Sequence, residues 1–271
     1  MPELPEVETT RRGIAPHLCG RTVTGIVIRQ WRLRWPVSPE LEHALPSAVI
    51  TAVQRRAKYL LIETDRGTVI LHLGMSGSLR IVQTGTPARK HDHVDILLAG
   101  GTCLRLTDPR RFGALLWTVE PPETHVLLRD LGPEPLGQAL TGDYLYAASR
   151  SRRVPVKSFI MDCRVVVGVG NIYASEALFM AGISPKRASS RISRDRYRVL
   201  VTTIREVLEQ AIKEGGTTLR DYVGSQGEAG YFRQFLRVYG RTAMPCLQCG
   251  IPIRVRRIGQ RSTFYCPGCQ R

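Results

Sequence analysis

The chain has 271 residues, about two domains' worth, and its 43% apolar content excludes a disordered tail. No apolar run approaches the roughly 18 residues of a membrane span, and the acidic, proline-punctuated start Met1-Pro2-Glu3-Leu4-Pro5 is no signal peptide, so a cytoplasmic protein without a membrane partner is expected. Lys plus Arg number 39 against 23 Asp plus Glu, a net charge of +16 that points to a polyanion, nucleic acid first. The excess is lopsided, with 17 basic and 14 acidic residues in 1–135 but 22 and 9 in 136–271, so the second half is expected to carry most of the phosphate-binding surface.

In chain order, residues 3–18 read as a helix, with Glu3, Glu6 and Glu8 early and Arg11 and Arg12 later, as the helix dipole favours. Strand signals then dominate. Residues 22–29 are β-branched, 59–63 and 68–73 flank the turn Thr64-Asp65-Arg66-Gly67, and 94–98 and 102–106 flank Ala99-Gly100-Gly101. A last apolar run covers 112–119. This half reads as an antiparallel sandwich or barrel behind one leading helix. Proline pairs near 121 and 133 mark the boundary, giving residues 1–120, a linker over 121–135, a helical domain over 136–240 and a cysteine finger over 241–271. A helix is expected over 172–181, closed by Gly182. A longer one starts at Ser193 and shows three-and-four spacing from Tyr197 to Ile212 before Gly215-Gly216.

Cys246, Cys249, Cys266 and Cys269 form two Cys-x-x-Cys pairs 16 residues apart, a four-thiolate zinc pattern. With all four positions filled by protein, one ion would be structural, holding a β-hairpin rich in arginine. Two disulfides are the alternative, which a reducing compartment disfavours. His91-Asp92-His93 does not make a second metal site, because three adjacent residues cannot all face one ion.

Removal of Met1 would expose a prolyl amine at Pro2. An α-amino group has a reference pKa near 8, against about 10.4 for lysine, so more of it is unprotonated at neutral pH. Such an amine attacks a carbonyl-type carbon, and a secondary amine then yields a cationic iminium, an electron sink. Glu3 is adjacent and could donate a proton. Taken alone, the same two residues also suit the first turn of a helix.

The start Met1–Glu8, the block His72-Leu73-Gly74-Met75-Ser76-Gly77, the block Asp108-Pro109-Arg110-Arg111-Phe112-Gly113, the stretch Gly168–Glu176 and the cysteine finger occur in this order. Together they resemble the formamidopyrimidine-DNA glycosylase family over essentially the whole chain. The resemblance implies an α+β fold: an N-terminal helix plus antiparallel β-sandwich domain, then a helical helix–two-turn–helix domain with a C-terminal zinc-finger β-hairpin. It implies base excision repair of damaged double-stranded DNA by a bifunctional DNA glycosylase/AP lyase. Such an enzyme removes 8-oxoguanine and formamidopyrimidines through a Schiff base and then cleaves the strand by β,δ-elimination. A monomer, cytoplasmic and associated with the nucleoid, is expected.

By the same resemblance the catalytic residues are Pro2 as nucleophile, Glu3 as proton donor, Lys58, and Arg261 in the δ-elimination. Met75, Arg110 and Phe112 would fill the hole left by an everted base, and Asn171 would hold a phosphate beside the lesion. His72, His91, Arg152 and Lys157 match further DNA-contact positions, and 215–230 would close on the flipped base. Flipping costs a few kcal/mol of unstacking, which is why such wedges are needed. Ala57 stands where the family usually has Gly. Two alternatives remain: an endonuclease VIII-like glycosylase for oxidised pyrimidines, whose branch usually begins Met-Pro-Glu-Gly-Pro, and a non-catalytic zinc DNA-binding protein.

Overall fold

The computed structural model describes residues 2–216 and 232–271, which form two compact units, 2–129 with 214–216 and 130–213 with 232–271. The first unit starts with helix α1 (Leu4–Leu18). Glu3 is its N-cap, and the Glu6 carboxylate accepts the Glu3 backbone N–H at 2.8 Å, occupying one of the donors that every helix start leaves open. Strand β1 (Val23–Ile28) and the short helix α2 (Leu41–Ala44) follow. Then come β2 (Ile50–Arg56), β3 (Tyr59–Thr64), β4 (Gly67–His72), β5 (Ser78–Gln83), β6 (Asp92–Leu98), β7 (Thr102–Thr107) and β8 (Ala114–Thr118).

These strands make two four-stranded antiparallel sheets, ordered β1-β6-β7-β5 and β2-β3-β4-β8. Val94, Ile96, Leu104 and Leu106 of one sheet and Leu60, Ile62, Val69 and Leu71 of the other share a core with Val7, Ile14 and Leu18 of α1. The expected sandwich behind a leading helix is therefore present. Strands β2 and β5 have no counterpart among the expected elements. The register of β2 is broken by an irregularity between Ile50 and Ala52, which interrupts the two-residue alternation that marks a strand. Strand β8 begins at Ala114, so Phe112 lies in the loop before it rather than in the strand run.

The second unit holds α3 (Gly142–Ser149), α4 (Val156–Ile160), α5 (Asn171–Met180) and α6 (Arg194–Lys213). Ser193 starts α6 as expected, its Oγ accepting the Arg196 N–H at 3.3 Å. One face of α6 buries Tyr197, Leu200, Val201, Ile204, Leu208 and Ala211. Helix α5 is buried from Ile172 to Phe179, which explains why it shows no amphipathic stripe. Helices α3 and α4 were not expected, because eight and five residues are too short to show helical periodicity.

Strands β9 (Arg254–Ile258) and β10 (Arg261–Tyr265) pair antiparallel around Gly259-Gln260. Both turn residues have positive φ, 53° and 60°, as a two-residue hairpin turn of this twist requires. The hairpin packs into the unit through Ile253 and Cys266, which cluster with Phe179 and Val238. Among the described residues, no helix is long and apolar enough to cross a membrane.

Candidate active site and nucleic-acid interface

Pro2 and Glu3 are both buried at the start of α1. Strand β2 runs antiparallel to that helix: Arg11 donates to the Val53 carbonyl at 3.2 Å, and further along the strand Arg55 meets Glu8 at 3.2 Å. Continued by two residues, β2 delivers the turn Ala57-Lys58 toward the helix N-terminus, where Glu3 sits. Ala57 holds φ 56°, a left-handed conformation that costs a side-chain-bearing residue about 1 kcal/mol. The Arg55 guanidinium donates to the Ala57 carbonyl at 2.9 Å and fixes this turn. Glu8 is the hub of the helix: burial pushes its pKa up, but hydrogen bonds from Arg11 and Arg12 and the charges of Arg11 and Arg55 outweigh that and hold it at about 2. Gly216 closes on the same region, since a Cβ there would lie 3.1 Å from Cγ of Glu6.

The loops after β4 and β7 form a second part of this unit's site. His72 ends β4, and its Nδ1 accepts the Gly74 N–H at 2.9 Å. A backbone N–H can only donate, so the neutral ring carries its proton on Nε2. Burial, with the charges of Lys58 and Arg34, lowers the His72 pKa to about 4, so at neutral pH the ring is an uncharged donor. Gly74 has φ 63°, and a Cβ there would meet the Phe112 carbonyl carbon at 2.5 Å; only glycine lets the Met75 loop lie this close to the Phe112 loop.

Asp108, 0% exposed, ties the two loops together. It accepts from the Ser76 hydroxyl at 3.1 Å and from the Arg110 and Gly113 N–H groups at 3.3 and 2.8 Å. The Arg110 guanidinium lies 5.0 Å from the Phe112 ring centroid, and Phe112 is 40% exposed. Met75 is half-buried. Arg110 and Phe112 are therefore not core residues. His91 is half-buried beside His93, and its carbonyl accepts the Asp108 N–H at 3.0 Å. His93 donates to the Asp108 carbonyl at 2.8 Å, so the His93 ring and the His91 backbone both brace the Asp108 loop.

In the second unit, Asn171 opens α5 with Gly170 as N-cap. The Lys157 ammonium donates to Asn171 Oδ1 at 2.6 Å, to Thr263 Oγ1 at 2.9 Å and to the Ser262 carbonyl at 3.3 Å. Asn171 Nδ2 donates to that same carbonyl at 3.1 Å. Lys157, expected to be a DNA-contact residue, is 1% exposed. Its charge is turned inward and orients Asn171 against the hairpin. Arg152 pairs with Asp162 at 3.1 Å with both side chains partly exposed. Arg261, the first residue of β10, is exposed, as are Arg254, Arg256 and Arg257 of β9.

Sequence reasoning missed Asp108 and Glu176 as organising residues, although both stand inside quoted motif blocks. Glu176 is 2% exposed and accepts three successive backbone N–H groups, from Arg237, Val238 and Tyr239, at 2.8–3.0 Å. Burial pushes its pKa up, and those three donors pull against it. Residues 217–231, most of the expected base-closing stretch, lie outside the described residues.

The ligand sulfur atoms of Cys246, Cys249, Cys266 and Cys269 all lie within 4.8 Å of one another. The Cys246–Cys269 and Cys249–Cys266 sulfur separations are 3.9 and 3.4 Å. A disulfide needs about 2.05 Å, whereas thiolates 2.3 Å from a tetrahedral ion stand about 3.8 Å apart. The cluster fits a four-coordinate metal and no disulfide pairing.

A sandwich unit led by a buried Pro-Glu helix start, and a helical unit carrying a basic four-cysteine hairpin, define a DNA glycosylase with a structural zinc finger. Three family models match the chain in order: the formamidopyrimidine-DNA glycosylase N-terminal domain over 1–115, the H2TH domain of that glycosylase over 131–223, and a zinc finger found in FPG and IleRS over 245–271. The chain belongs to the formamidopyrimidine-DNA glycosylase family. It is 60% identical over 271 residues to the formamidopyrimidine-DNA glycosylase of Methylococcus capsulatus and 61% identical over 277 residues to that of Alkalilimnicola ehrlichii, each match covering 100% of both chains. Among solved structures, MutM (FPG) from Thermus thermophilus matches with a TM-score of 0.89 at 37% identity, covering 99% of this chain and 98% of that one. A Lactococcus lactis FPG variant in complex with Fapy-dG-containing DNA matches with a TM-score of 0.92 at 31% identity over 100% of both chains. The protein is thus an enzyme with one structural zinc ion, held by its four-cysteine finger.

Proposed function

We propose that this protein is a bifunctional base-excision enzyme that removes 8-oxoguanine and ring-opened purines from duplex DNA and then cleaves the strand. The observation that carries the reading is the buried Pro2-Glu3 start of α1, toward which the Ala57-Lys58 turn is delivered. Burial disfavours the charged amine, so the processed Pro2 nitrogen is a better nucleophile at neutral pH than an exposed one. It bonds to C1′ as the bond to the base breaks. Glu3 gives a proton to the sugar ring oxygen as that oxygen leaves C1′, and the iminium forms. The iminium acidifies the C2′ proton; its removal expels the 3′-phosphate, a further elimination expels the 5′-phosphate, and hydrolysis frees the amine.

Lys58 supplies a cation beside the phosphate or lesion, and Arg261 grips the phosphate that departs last. Met75, Arg110 and Phe112 enter the stack where the base has left, with the planar donors of Arg110 facing the widowed base. Neutral His72 offers Nε2–H, while His91, Arg152 and Asn171 hold backbone phosphates. Lys157 acts through Asn171. We place the enzyme as a monomer in the cytoplasm, at the nucleoid, because its substrate is the chromosome.

A second reading has one specific observation in its favour. A solved complex holds wild-type Lactococcus lactis FPG, 31% identical to this chain, on DNA containing an oxidised pyrimidine. Oxidised pyrimidines are therefore the competing substrate. Borohydride trapping on a duplex with 8-oxoguanine opposite C is expected to give a covalent adduct that maps to Pro2. No adduct there, with an adduct on thymine-glycol DNA, would replace the purine reading by the pyrimidine one.

A further inference from the structure

The segment between α5 and α6 carries a basic surface that the proposed reaction does not use. Lys186, Arg187, Arg191 and Arg271 are all exposed around an open cleft of about 500 Å³. Among the described residues no carboxylate forms a salt bridge with any of the four; the next acidic residue in the chain, Asp195, pairs with Arg198 at 3.1 Å. Like charge is crowded here. Burial first, and then the charge of Arg187, lowers the pKa of Arg196, whose guanidinium donates to the Gly182 carbonyl at 2.7 Å.

The backbone beneath these side chains is pinned from three directions. The Arg187 carbonyl accepts the Val156 N–H at 2.8 Å, the Ser189 N–H donates to the Val154 carbonyl at 2.9 Å, and the Ser184 N–H donates to the Arg271 carbonyl while the Arg271 N–H donates to the Gly182 carbonyl, both at 3.0 Å. The Lys186 ammonium also lies 5.2 Å from the Tyr265 ring centroid, above the zinc hairpin. A rigid frame with four side-chain cations, set against the single α-carboxylate of Arg271, keeps a net positive charge and binds an extended polyanion at little ordering cost. Asn171 opens α5 and this surface follows its other end, so about 15 Å of helix separates the two.

We propose that this surface is a second phosphate-binding site, which takes a separate segment of DNA duplex while the first is held at the Asn171 end. The enzyme then passes between duplex segments without full release. The proposal rests on the glycosylase reading only for what occupies the Asn171 end, and the test reads binding of undamaged DNA, so it stands or falls apart from lesion choice and chemistry. The protein is saturated with a duplex of about 12 base pairs bearing a stable abasic analogue, and a labelled undamaged duplex of the same length is titrated by fluorescence anisotropy. A second duplex is expected to bind with a log–log salt slope of about −3, corresponding to three or four phosphate contacts.

The combined change Lys186→Gln, Arg187→Gln and Arg191→Gln is expected to weaken this second binding at least tenfold. It leaves the first duplex within twofold and the thermal midpoint unchanged. Saturation at one duplex per protein in the parent would overturn the proposal. So would a variant that weakens both duplexes equally, or one that leaves the second untouched.

Discussion

Two buried charged side chains organise the two units, and they do so over very different chain distances. Asp108 holds the Met75 and Phe112 loops with bonds to Ser76, Arg110 and Gly113, mostly within its own turn. Lys157 reaches Asn171 and, more than a hundred residues on, Ser262 and Thr263 of the zinc hairpin. The first is a local brace for the loops that carry the exposed Arg110 and Phe112 side chains. The second is a knot whose partners exist only when helix and hairpin are both folded. Damage at Asp108 should therefore stay in the loops, whereas damage at Lys157 should spread.

Metal removal tests this contrast most strongly. Structural zinc supplies roughly 10 kcal/mol or more of folding free energy to such a finger. Chelation, or Cys249→Ala, is expected to unfold the hairpin, release Lys157 and reduce lesion-duplex affinity by at least a hundredfold, while the sandwich unit keeps its β-sheet circular dichroism. Next comes Lys157→Met, which leaves Asn171, Ser262 and Thr263 without the ammonium. It is expected to destabilise the second unit by about 3 kcal/mol in denaturant titrations and to weaken duplex binding without changing the trapping chemistry at Pro2. Asp108→Ala orphans two backbone N–H groups and a hydroxyl. Its expected stability loss is about 2 kcal/mol, with base excision falling more than incision of a preformed abasic site.

Acidification tests the first unit without any substitution. Glu8 is depressed to about 2 and His72 to about 4 from ordinary values of 4.5 and 6.5, so in both cases the unfolded chain binds protons first. The His72 contribution is complete above about pH 6.5 and fades toward pH 4; that of Glu8 is complete above about pH 4.5 and fades toward pH 2. Thermal midpoints should fall in these two windows. Glu8→Gln should flatten the lower one, and the His72 ring should titrate near pH 4 by NMR.

Local signals were the legible ones. The cap at Ser193 and the spacing of Tyr197, Leu200, Ile204 and Leu208 marked α6 because helix periodicity is written every three or four residues. Turns at 64–67 and 99–101 marked two hairpins. Strand β2, with its broken register, and helices α3 and α4, which are too short, left no comparable pattern; β5 is regular, and its six residues carry no turn signal of the kind that marked the two hairpins. At the candidate site, the motif blocks contain the two loops that the structure joins, but nothing in them marks Asp108 as the residue that binds the loops together.

By itself, the sequence determined the zinc cluster, the two-part architecture and the basic bias of the second half, because covalent spacing and composition encode them directly. Burial was decided only by tertiary structure. Lys157 stands in the basic run Arg152-Arg153-Val154-Pro155-Val156-Lys157 and reads as a DNA-contact position, yet it is 1% exposed. The hairpin that covers it comes from residues 262–263, and a contact between segments so far apart leaves no periodic trace in either one.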